Sequence, residues 1–558
     1  MWDQLSPTAP YVTGEYTFFP IWECLTIFLL RYSPETFCKC PLLTPPSSRH
    51  VAYLTLSLFL IIYALFSQYI RNHLHLSEPP LAVLYGILLG PSVLRIIVPQ
   101  HWGFKDEDDE IVQEITRVIV AIQCFAVGIE LPKHYFKRHW NSVLWFLGPI
   151  MAFSWAVTAL FAALIFKTSI PTALIIGACL SPTDPVLAAS VLAKSRFSER
   201  VPSRLKNLLS AESACNDGVS FPFLFIRIVA LKYTNGGEAF KEWFLITVLW
   251  QCVVGLSIGL VIGNCANKMF RFSDTNHAIS KPSFVVFYLL LALLCVGVGS
   301  ILGSDDFLVA FGAGVGFGHD GWFSKKTHEL PFPTIIDMML NSSLFIFFGA
   351  LIPWKKFVPR DITPYCGPRQ LILFLILVLL FRRIPIVLAL KRFIPDLRTY
   401  REALFCGHFG PMGVGALFLA MEARSELEPP GTFRYGDQRH KPATPFSDRD
   451  EAIHLVCPVI CFVVMGSTFV HGLSTVAISV GGHYSRKKGE RAPLLGQETE
   501  GLEAMDHEEG NGDSEPDVSG SETEVRPPSP KDTKKKKKAQ GLEGSSSQDE
   551  RRNGLAGS

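Results

Sequence analysis

The sequence predicts an all-α polytopic membrane protein with about thirteen transmembrane helices and a disordered C-terminal tail. Three observations indicate this fold class. Of the 558 residues, 48% are hydrophobic and 18% are charged, a charged share that is low for a soluble protein of this length. Apolar windows of about 20 residues recur from residue 51 onward, each long enough to cross about 30 Å of hydrocarbon. Lysine and arginine also concentrate in alternate loops between these windows.

Thirteen apolar windows follow one another along the chain and define the predicted spans. They cover residues 51–70, 80–99, 111–130, 141–166, 170–193, 205–231, 242–264, 283–303, 305–319, 333–353, 370–390, 402–422 and 452–480. The ninth window is short, rich in glycine and weakly apolar, so it is the least typical membrane span. Because the number of spans is odd, the two ends of the bundle are expected on opposite sides of the membrane.

The charge of the loops predicts the orientation of the spans. The basic residues of alternate loops are Lys133, Lys137, Arg138, Lys194, Arg196, Arg200, Arg204, Lys206, Lys268, Arg271, Lys281, Lys325, Lys326, Lys391, Arg392, Arg398 and Arg401. The other loops are poorer in positive charge or acidic, except for the loop with Lys355, Lys356 and Arg360 and the long loop 423–451. The positive-inside rule places the basic loops and the C-terminus in the cytoplasm and the N-terminus outside.

Composition divides the chain into three parts. Residues 1–50 form an irregular N-terminal segment, residues 51–482 form the transmembrane domain, and residues 483–558 form a tail with few large apolar residues. Such a tail cannot bury enough apolar surface to offset its chain entropy, so we expect it to be disordered and, from the loop charges, cytoplasmic. Its lysine run Lys534–Lys538 fits either contact with anionic lipid or a solvated charge run.

The thirteen cysteines are scattered and show neither a CxxC pair nor a Cys/His spacing suited to zinc. We expect them to be small packing residues. The sequence contains no P-loop, which argues against an ATPase, and no pattern in it predicts a cofactor or a nucleic-acid partner.

Span six carries an acid followed, one helical turn later, by an amide and a second acid: Glu212, Asn216 and Asp217. A carboxylate inside a membrane helix is costly, which favours a functional role over a buried acid that serves only helix packing. A dehydrated monovalent cation needs oxygen ligands and a compensating charge. Asp217 supplies both, and Asn216 adds a neutral oxygen beside it. One carboxylate holds a proton or a cation but not both, and this competition is sufficient for exchange.

Span five is interrupted by Pro182 and Pro185, each of which removes a backbone donor and disturbs the preceding turn. Irregular backbone at membrane depth is tolerated beside a cavity or inside packed protein. Between the prolines, Thr183 offers a hydroxyl and a backbone oxygen to a cation. Asp184 is placed to satisfy the amides of a half-helix and to contribute its charge. A simple proline kink is the alternative interpretation.

Span twelve has a second interruption over residues 407–416, with Gly410 and Pro411 at its centre. Interrupted helices at matching positions of two halves are typical of inverted repeats. Spans five and twelve are seven apart, which fits two repeats of about six helices. The sequence therefore predicts two discontinuous helices that cross at the middle of the membrane.

An arginine within a span needs an internal partner. For Arg383 in span eleven the candidate is Glu212, one helical turn before Asn216 on the same face. A buried Glu212–Arg383 pair would neutralise both groups and leave Asp217 as the exchangeable charge. For the adjacent Arg382 we expect a side chain that extends to the cytoplasmic edge.

Three further polar residues are secondary candidates for the site. Asp305 and Asp306 open span nine, where they either cap the helix or form a vestibule that attracts cations. His408 lies at the second interruption and could be linked to proton movement. A structural, hydrogen-bonded histidine is the more frequent case in membrane proteins.

Together these motifs resemble those of monovalent cation/proton antiporters. The stretches SPTDPVLA, AESACNDG and GHFGPMGVGA are most similar to fungal plasma-membrane sodium/proton antiporters, and the resemblance covers residues 1–13 and about 51–495. It implies that Asp217 carries the ion and binds Na⁺, that Asn216 and Thr183 lie beside it, and that Glu212 and Arg383 form a structural pair. It also implies a core domain that moves against a scaffold domain, and the scaffold domains form a homodimer.

The function implied by the resemblance is secondary active antiport and not enzymatic catalysis. The protein would export cytoplasmic Na⁺, also Li⁺ and, as a further candidate, K⁺, in exchange for external protons, for salt tolerance and pH homeostasis. A cation channel and a non-transporting sensor of cations or pH stay open as alternatives. A channel needs a pore lined by rings of groups or a filter loop, whereas this chain has single acids at broken helices. A sensor would signal through the tail, which lacks a folded domain.

One segment departs from this family pattern. In the family, the N-terminal run Pro-Thr-x-Pro-x-x-Thr leads almost directly into span one, whereas here residues 14–50 intervene. The segment joins a short apolar run that contains a glutamate to a stretch rich in Cys, Pro and Ser. The junction at its start, Val12-Thr13-Gly14-Glu15-Tyr16, can be encoded across the splice-donor-like string GTGAGTA. We therefore predict that residues 14–50 are translated intron sequence and not part of the working protein.

Overall fold

The computed structural model describes residues 48–74, 76–98, 108–185, 187–188, 201–232, 235–327, 332–359, 363–427 and 448–484. All of them belong to one unit, Met1–Gln497, and none of them forms a β-strand. The all-α class expected from the sequence is confirmed. Most of the unusual segment 14–50 and the tail from residue 485 lie outside the described residues.

Helices account for most of the described chain. They are α1 (Ser48–Tyr69), α2 (Glu78–Leu89), α3 (Asp108–Glu130), α4 (Tyr135–Phe166), α5 (Ile170–Leu180), α6 (Ser203–Lys232), α7 (Gly236–Thr275), α8 (Lys281–Leu302), α9 (Asp306–Gly318), α10 (Trp322–Thr327), α11 (Phe332–Leu351), α12 (Pro368–Phe381), α13 (Ile384–Leu390), α14 (Tyr400–His408), α15 (Val414–Leu427) and α16 (Asp448–Tyr484). Each predicted span overlaps one helix or helical segments on either side of a break. The second span was predicted too long, because α2 ends at Leu89 and residues 90–98 are not helical.

Among the described residues, four segments are by themselves long and apolar enough to cross a membrane: Tyr135–Phe166, Gly236–Thr275, Pro368–Phe393 and Arg449–Ser474. Six more apolar helices are shorter, at 10–17 residues. The most apolar window of α7 is 17% buried and that of α16 is 67% buried, so α7 presents most of its surface outward while α16 lies inside the bundle. The remaining helices carry charges or breaks, which a membrane protein tolerates where they face its interior.

The ends of several helices follow from local sequence chemistry. Thr399 and Glu402 form a reciprocal capping box at the start of α14, in which each side chain accepts from the other's backbone N–H. Asp305 caps α9 by accepting from the backbone N–H groups of Phe307 and Leu308. Prolines occupy the first turns of α2, α5, α8 and α12, where a missing N–H costs no hydrogen bond.

Helix α9, the atypical ninth span, lies at the centre of one of two apolar cores. Nearly all of its residues are buried, and it packs against α3, α7 and α8. A Cβ at Gly314 would collide with the carbonyl of Phe125 in α3. The glycine-rich composition therefore serves close helix packing inside the protein and not contact with lipid.

Within the part of the chain that the structure describes, three breaks interrupt predicted spans. The chain is non-helical at residues 181–184 and 409–413, as the proline and glycine pattern predicted. A third break at Arg382–Arg383 separates α12 from α13, although span eleven was expected to be continuous. Its physical cause is Pro385 in the first turn of α13, which cannot donate to a preceding carbonyl and thereby ends the hydrogen bonding of α12.

Candidate ion-binding site

The two breaks expected in spans five and twelve contact each other through Asp184. Its backbone N–H donates to the carbonyl of Pro411 at 2.8 Å. Its Oδ2 accepts from the backbone N–H of Val414 at 2.9 Å, and its Oδ1 accepts from that of Leu187 at 2.9 Å. One carboxylate thus accepts hydrogen bonds from a backbone N–H at the start of α15 and from a backbone N–H in the helical residues that follow the first break. Gly413 is required here because a side chain would collide with this carboxylate.

Arg382 joins the opposite ends of the same two breaks. Its Nη1 donates to the carbonyls of Leu180, Ser181 and Pro182, the last two at 3.1 and 3.3 Å. Its Nη2 donates to the carbonyl of Gly410 at 2.5 Å. The expectation that Arg382 extends to the membrane edge is wrong, since the residue is 3% exposed. Carbonyls released by both breaks form a cluster of acceptors that suits the fixed donors of a guanidinium group.

Asn216 of α6 holds the first break in place. Its Nδ2 donates to Thr183 Oγ1 at 2.8 Å, and its Oδ1 accepts from the backbone N–H of Thr183 at 3.1 Å. Thr183 Oγ1 also lies 2.8 Å from Ser213 Oγ. Sequence reasoning did not select Ser213, although it stands in the same motif, one turn before Asn216. The structure brings Thr183 and Asn216 together, with the amide of Asn216 engaged in supporting the break.

Asp217 follows Asn216 and is 2% exposed. Its Oδ2 is buried and has no hydrogen-bond partner among the described residues. Helix α15 approaches the other oxygen closely, because a Cβ on Gly415 would lie 2.5 Å from Asp217 Oδ1. A buried carboxylate without a compensating partner is expensive, so it favours a bound proton or cation.

Asp305 contributes a second carboxylate to the same region. Its Oδ1 caps α9, accepting from Phe307 N at 2.8 Å and Leu308 N at 3.2 Å. Its Oδ2 is buried with no partner in the described part of the chain. A Cβ on Gly218, the residue after Asp217, would lie 2.6 Å from this oxygen. The capping interpretation from the sequence is therefore correct for one oxygen of Asp305, while the other stays available.

Asp306 has a different environment from Asp305. It accepts from Ser300 Oγ at 3.1 Å and pairs with Arg117 Nη1 at 3.1 Å. Arg117 also lies 3.3 Å from Glu114 and 3.7 Å from Glu422, so it links α3, α9 and α15. Sequence reasoning missed Arg117 and Glu422. Two signals were available: both residues are charged and lie inside predicted spans, and Glu114 and Arg117 have i,i+3 spacing.

Glu212 and Arg383 meet in two parallel hydrogen bonds of 2.5 and 2.6 Å, with side chains only 3% and 5% exposed. Arg383 Nε donates to the carbonyl of Cys406 at 2.9 Å, and its guanidinium lies 5.1 Å from the ring of Phe146. The charge of Glu212 is compensated locally, unlike that of Asp217. The structural role assigned to this pair from the sequence stays a prediction.

His408 lies at the end of α14, where its Nε2 is 3.0 Å from Ser474 Oγ of α16. This contact fits the hydrogen-bonded interpretation and leaves a role in proton movement untested. Within the described residues, no group of three or more His, Cys, Asp or Glu side chains has an arrangement that could hold a metal ion.

Comparison with known proteins places this arrangement in a family. The family model for the transmembrane region of sodium/hydrogen exchangers matches residues 56–481. The chain belongs to the sodium/hydrogen exchanger family. Among the solved structures, this chain is similar to the sodium proton antiporter MjNhaP1 of Methanocaldococcus jannaschii, with a TM-score of 0.56 and 16% identity over 76% of this chain and 98% of that one. At this identity the likeness shows the fold alone.

Fungal proteins are more similar in sequence to this chain than MjNhaP1 is. The chain is 42% identical to Na(+)/H(+) antiporter 2 of Zygosaccharomyces rouxii over 78% of this chain and 53% of that protein. It is 42% identical to the Na(+)/H(+) antiporter of Saccharomyces cerevisiae over 78% of this chain and 44% of that protein. A Na(+)/H(+) antiporter of Schizosaccharomyces pombe is 34% identical, with 91% of its length covered. The chain thus spans about half the length of the first two relatives.

Proposed function

We propose that the protein is a secondary active antiporter that exchanges cytoplasmic Na⁺, and also Li⁺, for external protons by alternating access, with K⁺ as a further candidate cation. The observation that carries this proposal is the buried Oδ2 of Asp217, which has no hydrogen-bond partner among the described residues and lies near two helix breaks that contact each other. Membership of the exchanger family and the printed names of the fungal relatives support it. Salt tolerance and pH homeostasis are the physiological roles that follow.

In this mechanism Asp217 binds either a proton or a cation. Loss of its proton leaves a negative charge on Asp217. Arg383 does not neutralise this charge, because it is already paired with Glu212. A dehydrated Na⁺ then supplies the compensating charge, and it prefers oxygen ligands. Thr183 provides hydroxyl and carbonyl oxygens nearby, while the Oδ2 of Asp305 offers a second carboxylate oxygen next to Gly218.

The two breaks make alternating access physically reasonable. Asp184 and Arg382 satisfy the released amides and carbonyls of both breaks, so the crossing is a connected polar unit. Such a unit can move as a rigid body against the other helices while its backbone stays hydrogen-bonded. We further propose that the protein works as a homodimer in the plasma membrane with its tail in the cytoplasm.

Proton flux into liposomes tests the proposal against the channel and sensor alternatives. The purified chain is reconstituted, the membrane potential is clamped, and internal pH is recorded after Na⁺, Li⁺ or K⁺ gradients are imposed. An antiporter changes internal pH on a cation gradient alone. Electrical current without coupled proton movement would indicate a channel, and neither signal would indicate a sensor.

Two variants complete this experiment. Asp217→Asn removes the exchangeable charge and should give no coupled flux. Asp274→Asn is the matched control, because Asp274 is a carboxylate at the end of α7 that pairs with Lys326 at 3.1 Å, apart from the breaks. Loss of flux in the control alone, or in neither variant, would contradict the assignment of Asp217.

A further inference from the structure

One face of α16 is polar and buried where it contacts the second break. Ser467, His471 and Ser474 are spaced i, i+4 and i+7, so they lie on the same side of this helix. Ser467 is fully buried and His471 is 2% exposed. None of the motifs singled out in the sequence includes these residues.

Hydrogen bonds from this face hold the two ends of the break. The backbone N–H of Met412, near the end of the break, donates to Ser467 Oγ at 2.9 Å. His471 Nε2 lies 3.0 Å from the carbonyl of His408, the last residue of α14 before the break. Ser467 Oγ and His471 Nδ1 are 3.2 Å apart, which connects the two contacts.

The chemistry of the partners favours one protonation pattern. A carbonyl only accepts, so the contact with His408 requires a proton on Nε2 of His471. Nδ1 also lies 2.8 Å from the carbonyl of Ser467, so an imidazolium could donate to both carbonyls and a neutral ring to only one of them. Burial of His471 and the positive charge of Arg382 oppose the imidazolium. Ser467 Oγ already accepts from Met412, which leaves its own proton free for Nδ1. The charged or titratable groups that face His471 are His408, whose ring stacks on it at 5.3 Å, and Arg382, and neither favours an imidazolium.

We propose that Ser467 and His471 are positioning residues of the cation site, with His471 neutral and donating from Nε2. Together they form a relay from Met412 N–H through Ser467 and His471 to the carbonyl of His408. The relay fixes the length and direction of the second break from outside the crossing. This inference rests on the proposed exchange function.

The break transmits this positioning to the site over a few residues. The residues immediately after Met412 are Gly413, which contacts the Asp184 carboxylate, and Val414, which donates to it. The next residue is Gly415, whose backbone adjoins Asp217 Oδ1. A shift of the break therefore changes the surroundings of Asp184 and Asp217 together, although α16 itself contributes no ligand in this proposal.

The first test compares two neighbouring hydroxyls of α16. Ser467→Ala removes the acceptor of the buried Met412 N–H, and we expect the apparent Na⁺ constant of exchange to rise about tenfold. Thr468→Val is the matched control: Thr468 is equally buried, but its hydroxyl donates only to Val464 within its own helix at 2.8 Å. The control should keep the wild-type constant, and Ser467→Thr should restore most of the affinity.

The second test distinguishes the two ring nitrogens of His471. In His471→Gln the side-chain NH₂ can replace the Nε2 donor, so exchange should be retained with an unchanged pH profile. In His471→Asn the amide is too short to reach His408, and the apparent Na⁺ constant should rise as in Ser467→Ala. Loss of one limb of the pH profile in His471→Gln would show that the ring titrates during transport and would overturn the positioning role.

The outcomes separate this inference from the proposed function. A wild-type protein without Na⁺-coupled proton flux contradicts the proposed function itself. Wild-type flux with an equal Na⁺ constant in Ser467→Ala, or with the same loss in Thr468→Val, contradicts only the positioning role. Thermal unfolding of each purified variant is recorded alongside, because an effect confined to stability would also overturn it.

Discussion

Asp184 and Asp217 are both buried acids at the crossed breaks, yet their surroundings differ. Both oxygens of Asp184 accept hydrogen bonds from backbone N–H groups at the starts of helical segments. One oxygen of Asp217 has no partner among the described residues. Hydrogen bonds to the ionised form stabilise the charge of Asp184, whereas Asp217 needs a proton or a cation for that purpose. At the residue scale, Asp184 is therefore a capping acid, and Asp217 is the acid that we propose to be exchangeable.

The first prediction concerns Asp217. Asp217→Asn should abolish coupled exchange while the protein stays folded. The amide has nearly the same shape as the carboxylate, but it neither releases a proton nor compensates the charge of a cation. Thermal unfolding in detergent and proton flux in liposomes measure the two properties. Asp184→Asn is the comparison, since it weakens a cap and should lower the unfolding temperature. Coupled flux in a folded Asp217→Asn variant would remove Asp217 from the carrier role.

The second prediction concerns Thr183. Thr183→Ala deletes the hydroxyl that contacts Asn216 and Ser213, and one oxygen ligand of the proposed site. The apparent cation constant should rise about three- to tenfold with little change in maximal rate, the size of one hydrogen bond or ligand among several. Thr183→Ser keeps the hydroxyl and should stay close to wild type. An unchanged apparent cation constant in Thr183→Ala would show that Thr183 is not a ligand and would favour the interpretation of the first break as a simple proline kink.

At the scale of the elements, long-range polar contacts hold helices together at the points where their own hydrogen bonding fails. Glu212 ties α6 to the joint between α12 and α13, and Arg382 ties that joint to both breaks. Arg117 makes a similar connection among α3, α9 and α15. Such bonds matter inside a membrane protein because no water is present to satisfy a released backbone group.

The third prediction tests the pair of Glu212 and Arg383. Glu212→Gln or Arg383→Ala alone leaves one buried charge without its partner and should cost about 3–5 kcal/mol of stability. A double replacement by neutral residues should recover part of this loss. Thermal unfolding of the three variants gives the comparison. If Glu212→Gln shifts the cation constant at unchanged stability, Glu212 is a ligand of the ion and not a strut.

The fourth prediction concerns Asp396, in the loop between α13 and α14. Burial acts to raise the pKa of this carboxyl, but hydrogen bonding with His139 and Ser142 outweighs burial and holds its pKa below the ordinary value. A lowered folded-state pKa contributes stability that is present above the ordinary carboxyl range and lost as pH falls through the folded value. Asp396→Asn should therefore destabilise the protein at neutral pH. The difference from wild type should begin to shrink as the pH falls below about 4 and should vanish only below the lowered folded-state pKa.

At the scale of the whole molecule, the family match and the described helices cover the same part of the chain. The match spans residues 56–481, and the described helices run from Ser48 to Tyr484. Most of segment 14–50 lies outside the described residues, so its proposed origin from an intron stays a prediction. The division of the chain into an N-terminal segment, a transmembrane domain and a tail likewise stays a prediction.

The fifth prediction tests that segment directly. Deletion of residues 14–50 should leave the Na⁺ constant and the rate of exchange unchanged, because none of the proposed site residues lies in it. Sequencing of transcripts provides an independent measurement. Abundant messages that carry these codons in frame would refute the intron hypothesis, whatever the deletion does to transport.

The sequence by itself determined the all-α membrane class, the positions of the spans, both breaks at 181–184 and 409–413, and the choice of Asp217 and Thr183. These features follow from local properties: the length of apolar windows, the missing N–H of proline and the cost of a charge in lipid. The sequence also indicated the candidate pairing of Glu212 with Arg383, because an arginine inside a membrane span needs an acidic partner there.

Only the tertiary structure showed how Arg382 bridges the breaks, which oxygen of Asp305 is left over, and how His471 and Ser467 reach the second break. Arg382 contacts a carbonyl 202 residues away in the chain, and Arg117 pairs with an acid 189 residues away. No periodicity or motif encodes such separations, because they arise when helices pack. Every residue has a backbone carbonyl, so the sequence does not indicate which side chain will donate to a carbonyl that a break leaves without a partner. The packing of the helices decides this.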